Sequence, residues 1–425
     1  MNSTPPGHPG HHRSRPQPRR PARPPLSSEL LAARTLEVPP SLPRIVVKSP
    51  TSHPFLYRKR LGDFDRTARH GDLVQLMLPS GESFGYGLFN PRAEIAVRVL
   101  SHGDAVPDEA WWADRIRSAV ELRRTVLNLD DTTNAFRVIH AESDGLPGLV
   151  ADRLGPVLSI EVFSLAMYQR AEAIAGLLAK ELGTEQTIIQ TAPQTLELEG
   201  FAAEPKWLTP PAKRLEIQEF GTRFAIDFSA GHKTGFFCDQ RDNRRRLAEF
   251  CQGAEVLDLC CYTGGFSVQA ARLGKASSVT GVDLDEQAIE IAKKNANLNQ
   301  TRVRFVHADA FNYLRDMLRA ERQFDVVVLD PPKLIRTRSE QEEGRRKYYD
   351  FNRLAMQLVR PGGLLLTCSC SGLMSQELFL RTVSSAVPGN RRGQILFRTS
   401  AGPDHPVATD CWETDYLKAF WVRVL

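Results

Sequence analysis

The sequence predicts an α/β protein: a C-terminal Rossmann-like, doubly wound sheet preceded by a small β-barrel and a central α/β unit. Three observations predict it. From residue 216 onward, β-branched runs of strand length alternate with helical segments, as crossover-connected parallel strands require. Residues 44–105 hold short apolar runs parted by turn residues, the spacing of a small barrel. The 425 residues exceed one compact domain, which leaves room for a third unit between these two.

Composition narrows the class. Hydrophobic residues make up 42% and charged residues 25%, an ordinary soluble balance. No apolar run reaches the roughly 18 residues a membrane helix needs, so no membrane partner is expected. The first 25 residues are rich in Pro and Arg and lack the apolar stretch of a secretory signal. The seven cysteines are odd in number and all lie in the C-terminal half, which favours a reducing cytoplasm over a disulfide scaffold. Net charge is +5, and Arg13, Arg15, Arg19, Arg20 and Arg23 supply all of it before the first acid. The body is therefore neutral, and any affinity for nucleic acid must come from local patches.

Taken in order, residues 1–43 carry eleven prolines among Arg, His and Ser and read as a disordered basic tail. Strands fall at 45–48, 72–78, 83–89 and 95–100, the middle pair joined by a Pro79-Ser80-Gly81 turn. The central unit, 106–215, opens with a helix at 109–127. Strands follow at 136–142, 149–153 and 157–163, then a helix at 169–182 ended by Gly183, then a strand at 187–190. Pro210-Pro211 marks a linker. In the last unit, 216–425, a hairpin turns at Gly221. Strands are then expected at 256–260, 279–283, 303–307, 326–330, 364–369, 394–398 and 417–424, with a ligand at the carboxyl ends of a parallel sheet.

The first of those strands, Val256-Leu257-Asp258-Leu259, runs into Cys260-Cys261-Tyr262-Thr263-Gly264-Gly265-Phe266. This departs from the G-x-G-x-x-G dinucleotide fingerprint. An acid closing the strand before a Gly turn is typical of S-adenosylmethionine enzymes, with Gly264 giving the cofactor close approach to backbone. Asp283 ends the second strand and is placed to accept ribose hydroxyls; Asp309 ends the third and is placed to accept the adenine amine. Each could instead cap the helix that follows it. Three acids at three successive strand ends favour the cofactor.

The fourth strand ends in Asp330-Pro331-Pro332-Lys333. Lys333 stands where amino-group methyltransferases with a D-P-P motif carry a base-stacking aromatic. The fifth strand ends in Cys368-Ser369-Cys370-Ser371. Residues two apart in a strand share a face. The pair lacks the further Cys or His of a zinc site, so no metal is expected. A thiol opposite D-P-P suits covalent catalysis, since adding a thiolate to cytosine C6 makes C5 nucleophilic. The alternative is that both are small core residues.

At this point several motifs coincide. His232 through Arg244, Asp258 through Ser267, Glu142 through Leu149, Thr367 through Met374, Asp404-His405-Pro406 and Tyr416-Leu417-Lys418 together resemble the bacterial 23S ribosomal RNA 5-methylcytosine methyltransferases. The resemblance covers residues 44–425. It implies a PUA-like RNA-binding barrel, a central α/β domain and a class I methyltransferase domain. It places the nucleophile on Cys370, with Cys368 in reserve, and Asp330 on the base. It gives S-adenosylmethionine to Asp258, Gly264, Asp283 and Asp309, with Asp239, Gln240 and Arg241 covering it. The PUA entry at Ser52-His53-Pro54-Phe55 lacks the family's Arg and Trp.

The substrate expected is 23S rRNA presenting a single-stranded or flipped base, since a recessed thiol is out of reach of a stacked one. A homodimer is compatible with this reading. Lys333, Arg336, Arg338, Arg345, Arg346 and Lys347, with Tyr348 and Tyr349, either hold phosphates and stack bases or form a solvated helix face. Three other functions stay open: an rRNA guanine methyltransferase, which needs no thiol; an NAD-dependent oxidoreductase; and a non-catalytic RNA-binding ribosome-assembly protein.

Overall fold

The structure is a computed structural model that describes residues 25–211, 215–228 and 235–425. Its N-terminal sheet has six strands: in spatial order Phe55–Tyr57, Ile95–His102, Ser83–Phe89, Leu73–Met77, Arg44–Val47 and Leu61–Phe64. All neighbours are antiparallel except Arg44–Val47 with Leu73–Met77. Ile45, Val47, Leu56, Val74 and Leu76 fill its core, as the period-2 side-chain alternation dictates. Strands 55–57 and 61–64 escape the sequence pattern: the first is only three residues long, and the second, Leu61-Gly62-Asp63-Phe64, lacks an apolar alternation and buries none of its residues.

The tail expectation needs correcting in part. Residues 1–24 lie outside the described residues, but 25–43 are packed rather than disordered. Leu26 N–H donates to the Gly200 carbonyl at 2.8 Å, and the Gln169 amide donates to the Leu30 carbonyl at 2.7 Å. Arg34 pairs with Asp72 at 2.7 Å, and Leu36 is buried in the central core. Averaging composition over 1–43 concealed these few anchors at its downstream end.

The central sheet orders Lys206–Trp207, Gln186–Thr191, Val157–Val162, Leu149–Leu154 and Ala135–His140. Helices Glu109–Glu121 and Leu165–Leu182 pack on it. Asp108 and Ser164 cap their first turns, and Gly183 takes the left-handed conformation that ends the second. The expected 109–127 helix stops being α-helical at Glu121 and continues as a π turn, Leu122–Val126. Within that wider turn sits Arg123, fully buried, holding Asp144 at 2.6 and 2.9 Å. Arg98, from the N-terminal sheet, reaches Glu199 at 3.2 Å and so ties the two sheets together.

A hairpin, Leu215–Glu219 with Thr222–Ile226, precedes the C-terminal sheet. We number that sheet β1 (Glu255–Leu259), β2 (Ser278–Asp283), β3 (Arg304–His307), β4 (Phe324–Leu329), β5 (Val359–Ser369), β6 (Gly393–Thr399) and β7 (Lys418–Val424). Their order is β3-β2-β1-β4-β5-β7-β6. The sheet is not wholly parallel: β7 runs against both its neighbours. Residues 400–417, which lead into it, hold only a single 3-10 turn, Trp412–Thr414, and no crossover helix to restore the direction. Strand order reverses between β1 and β4, so the crevice outside their carboxyl ends is the natural ligand site.

Candidate active site

The acids expected at the strand ends all line one edge of the sheet. Asp258 is 1% exposed; its Oδ2 accepts from Ser267 at 2.6 Å, while Oδ1 is buried without a partner. Burial, with repulsion from Asp330 and Asp283, pushes its carboxyl up to about 7 against the pull of Ser267. Asp283 accepts from Tyr262 N–H at 2.7 Å and from Asp285 N–H at 2.9 Å, one bond on each oxygen. Each oxygen keeps a lone pair for a further donor. Asp309 does cap its helix, accepting from Asn312 N–H at 2.9 Å through Oδ1. Among the described residues its Oδ2 accepts nothing.

The loop after β1 is strained. Cys260 and Tyr262 both have positive φ, 60° and 49°, which side-chain-bearing residues adopt at a cost. Gly264 has φ of 81°. A Cβ there would lie 3.0 Å from Phe305 Cζ and 3.1 Å from Ala292 Cβ. Backbone conformation and packing under the loop already require this glycine.

On the chemical side, Asp330 follows β4 and accepts from Gln240 Nε2 at 3.0 Å. The other end of that amide accepts from Asn243 at 2.6 Å, which fixes its orientation. Asp239 accepts from the Tyr416 hydroxyl at 2.7 Å through Oδ2, and its Oδ1 is buried without a partner. Arg241 takes a different course from its two neighbours. Its guanidinium is 1% exposed and bonds both oxygens of Asp404, at 2.9 and 3.0 Å. That buried pair is structural and leaves Arg241 committed away from a cofactor. Asp404 also accepts from Arg137 N–H at 3.0 Å, and its carbonyl accepts from Arg123 at 2.8 Å.

The two candidate thiols differ sharply. Cys368 lies within β5, fully buried, and burial followed by the nearby Asp330 pushes its thiol well above the usual range. Cys370 lies just past the strand and is half-buried. The serines on either side of it are pinned by one residue: Ser369 Oγ and Ser371 Oγ each lie 3.0 Å from the Tyr348 hydroxyl. Ser371 Oγ also accepts from Ile335 N–H at 3.1 Å, and its carbonyl accepts from Lys418 Nζ at 2.8 Å. Tyr348 is thus buried and holds the loop that carries Cys370; it does not stack bases at the surface. Arg345 and Lys347 pair with Glu342 and Glu343 on the exposed helix face.

One cluster of metal-ligand types forms outside this cleft. His53 Nε2 lies 3.1 Å from Glu413, which also lies 3.5 Å from Cys411 Sγ. His53 Nδ1 accepts from Phe55 N–H at 3.0 Å, so the neutral ring carries its proton on Nε2, facing Glu413 as a donor rather than as a ligand.

Comparison with known proteins places this geometry. The description "S-adenosylmethionine-dependent methyltransferase" matches residues 146–411, and "PUA-like domain" matches residues 50–102. Relatives from Vibrio parahaemolyticus and Tolumonas auensis carry the name ribosomal RNA large subunit methyltransferase I. They are 34% and 36% identical over 381 and 383 residues, 88% of this chain and 96% of each relative. The chain belongs to this family.

Two solved structures share the fold. An S-adenosylmethionine-dependent methyltransferase from Streptococcus mutans superposes with a TM-score of 0.75, at 18% identity, over 89% of this chain and 99% of its own. A methyltransferase complexed with SAH gives a TM-score of 0.74 at the same identity and coverage.

The cofactor of this enzyme is S-adenosylmethionine. The cleft fits it on its own chemistry. Two buried carboxylate oxygens, on Asp258 and Asp239, lack donors, and Asp283 and Asp309 keep acceptor capacity. The cofactor's ammonium, ribose hydroxyls and adenine amine are all donors. Sequence reasoning missed that Tyr348 and Lys418 hold the serines flanking Cys370. Lys418 stood in a matching motif, but only the fold brings it beside Ser371.

Proposed function

We propose that this enzyme forms 5-methylcytosine in 23S rRNA, in the cytoplasm, through a covalent adduct of Cys370 with cytosine C6. The observation that carries the reading is the pair at the adjacent ends of β4 and β5. A half-buried thiol sits in a loop clamped on both sides, across from a carboxylate held by an oriented amide. The guanine alternative gives that thiol no task, and an NAD-dependent oxidoreductase conflicts with the family.

In this mechanism the Cys370 thiolate adds to C6, forming the S–C bond and moving electron density onto C5 and N3. Asp330, carrying a proton, gives it to N3 as charge builds there and accepts from the N4 amine, with Gln240 fixing the carboxyl group in place; the proton returns to Asp330 when the ring is restored. The bound cofactor supplies an electrophilic methyl group to the C5 so activated. Loss of the C5 proton to a base then expels Cys370 as thiolate and restores the ring. Asp258, Asp283, Asp309 and Asp239 hold the cofactor. The PUA-like sheet and the basic loop after β4 take the surrounding RNA. The same reading keeps a homodimer as an expectation, which light scattering of the purified chain tests.

The deciding experiment is methyl transfer from labelled S-adenosylmethionine to unmethylated 23S rRNA by wild type and Cys370→Ala, with the product base identified by mass. The reading requires 5-methylcytosine from the wild type and none from the variant. A methylguanine product, or full activity in the variant, overturns it.

A further inference from the structure

We propose that Lys418 is a positioning residue for the covalent step: its ammonium group favours the thiolate form of Cys370. This rests on the assignment of Cys370 as nucleophile.

Lys418 opens β7 and lies directly opposite Ser369, the last residue of β5. Its Nζ donates to the Ser371 carbonyl at 2.8 Å and to the Tyr416 carbonyl at 2.8 Å. The charge is therefore fastened to the residue that follows Cys370, and the register of two strands fixes where it stands. An ammonium carries three N–H donors, and these carbonyls account for two.

The group is only 4% exposed, and among the described residues it forms no salt bridge. A buried cation without an ion pair is costly to keep, and an anion formed beside it offsets part of that cost. Burial pulls the Lys418 ammonium down to about 8, while Asp415 and Cys370 act to keep it charged and Lys333 opposes. Cys370 is thus one of the two groups that favour its charged form. The titratable groups facing this pair are Tyr348 from the helix Gln341–Leu358, Cys368 on β5, Asp330 and Lys333 after β4 and Asp415 before β7, and the Asp330 carboxylate works against a thiolate at Cys370. Lys418 and Lys333 are the cations in that set. Lys418 keeps its proton throughout; the thiol proton leaves to solvent before Cys370 adds to C6.

The test reads the thiol directly rather than through turnover. Iodoacetamide alkylation of Cys370 is followed against pH by peptide mass spectrometry in wild type, Lys418→Met and Lys418→Arg. The expected result is a midpoint at least one unit higher in Lys418→Met, about a tenfold slower reaction at neutral pH, with Lys418→Arg close to wild type. Superimposable profiles in wild type and Lys418→Met overturn the proposal. So do equal shifts in the Met and Arg variants, which would mark a packing effect. If Lys418→Met fails to fold by circular dichroism, Lys418→Gln is read by the same criteria. Failure of the nucleophile assignment shows separately, as 5-methylcytosine still formed by Cys370→Ala.

Discussion

Gln240 donates from Nε2 to Asp330 at 3.0 Å, across 90 residues of sequence. The bond joins the turn Cys238–Gln240 to the end of β4, so in the proposed mechanism the cofactor cover and the carboxylate that meets the base act as one unit. Gln240→Ala should keep the fold and lower methyl transfer about 10- to 100-fold. Gln240→Glu should do worse, because two carboxylates at that distance repel. Single-turnover methylation of 23S rRNA at saturating cofactor measures both.

Cys368→Ala should retain 5-methylcytosine formation within a few fold, because that thiol is sealed inside β5. Its cost should appear as stability, about 1 kcal/mol for the lost sulfur packing. Parallel urea unfolding and product analysis separate the two. Loss of product with intact stability would return Cys368 to the chemistry.

Asp258 gives a pH dependence of stability. Its folded carboxyl is raised to about 7, above the unfolded value near 4, so the folded chain holds the extra proton between those values. Its favourable contribution is present at low pH and is lost as pH rises through about 7. The slope is at most about 1.4 kcal/mol per pH unit. Thermal unfolding of the cofactor-free protein should show Asp258→Asn gaining on wild type as pH rises from 5 to 8. The same variant should bind S-adenosylmethionine more weakly by calorimetry.

Lys418 sets an upper limit on the working pH. Its charge is present below about 8 and lost above it. The plot of kcat/KM against pH should therefore fall above about pH 8, and Lys418→Arg should carry that limb beyond pH 10, since a guanidinium stays protonated. An alkaline limb unchanged in Lys418→Arg would assign it to another group.

Asp404→Ala should destabilise the protein by about 3–5 kcal/mol, because it strands the buried Arg241 guanidinium. Differential scanning calorimetry reads this as one large fall in Tm. A fall of less than about 1 kcal/mol would mean that water replaces the lost carboxylate.

Much of this was legible in the sequence, for a physical reason. A buried parallel strand is marked by an unbroken apolar run such as Val326-Val327-Val328-Leu329 in β4; Val256-Leu257 in β1 and Leu364-Leu365-Leu366 in β5 carry the same signal, whereas β3, Arg304–His307, is an edge strand with no fully buried residue. The acids follow because each sits where its run stops. Period alone could not say which of two thiols on one face is sealed: that depends on β5 ending at Ser369. Nor could it show that Arg241 pairs with a carboxylate 163 residues away, or that Leu36 anchors a segment of otherwise disordered composition. Lys418 stood in the Tyr416-Leu417-Lys418 motif with no role attached, since its neighbours become visible only when β7 is laid against β5.

The cluster around Asp404 has a consequence for selectivity. Arg123 and Arg137 approach it from the central unit and Arg241 from the catalytic one, all through buried contacts. Among the described residues these contacts hold the two units at one angle. An RNA meeting two faces at a fixed angle must do the yielding itself. Discrimination between sites then falls partly on how cheaply each RNA deforms, so that a stretch already loosened by missing partners would outcompete an identical sequence locked in a finished helix.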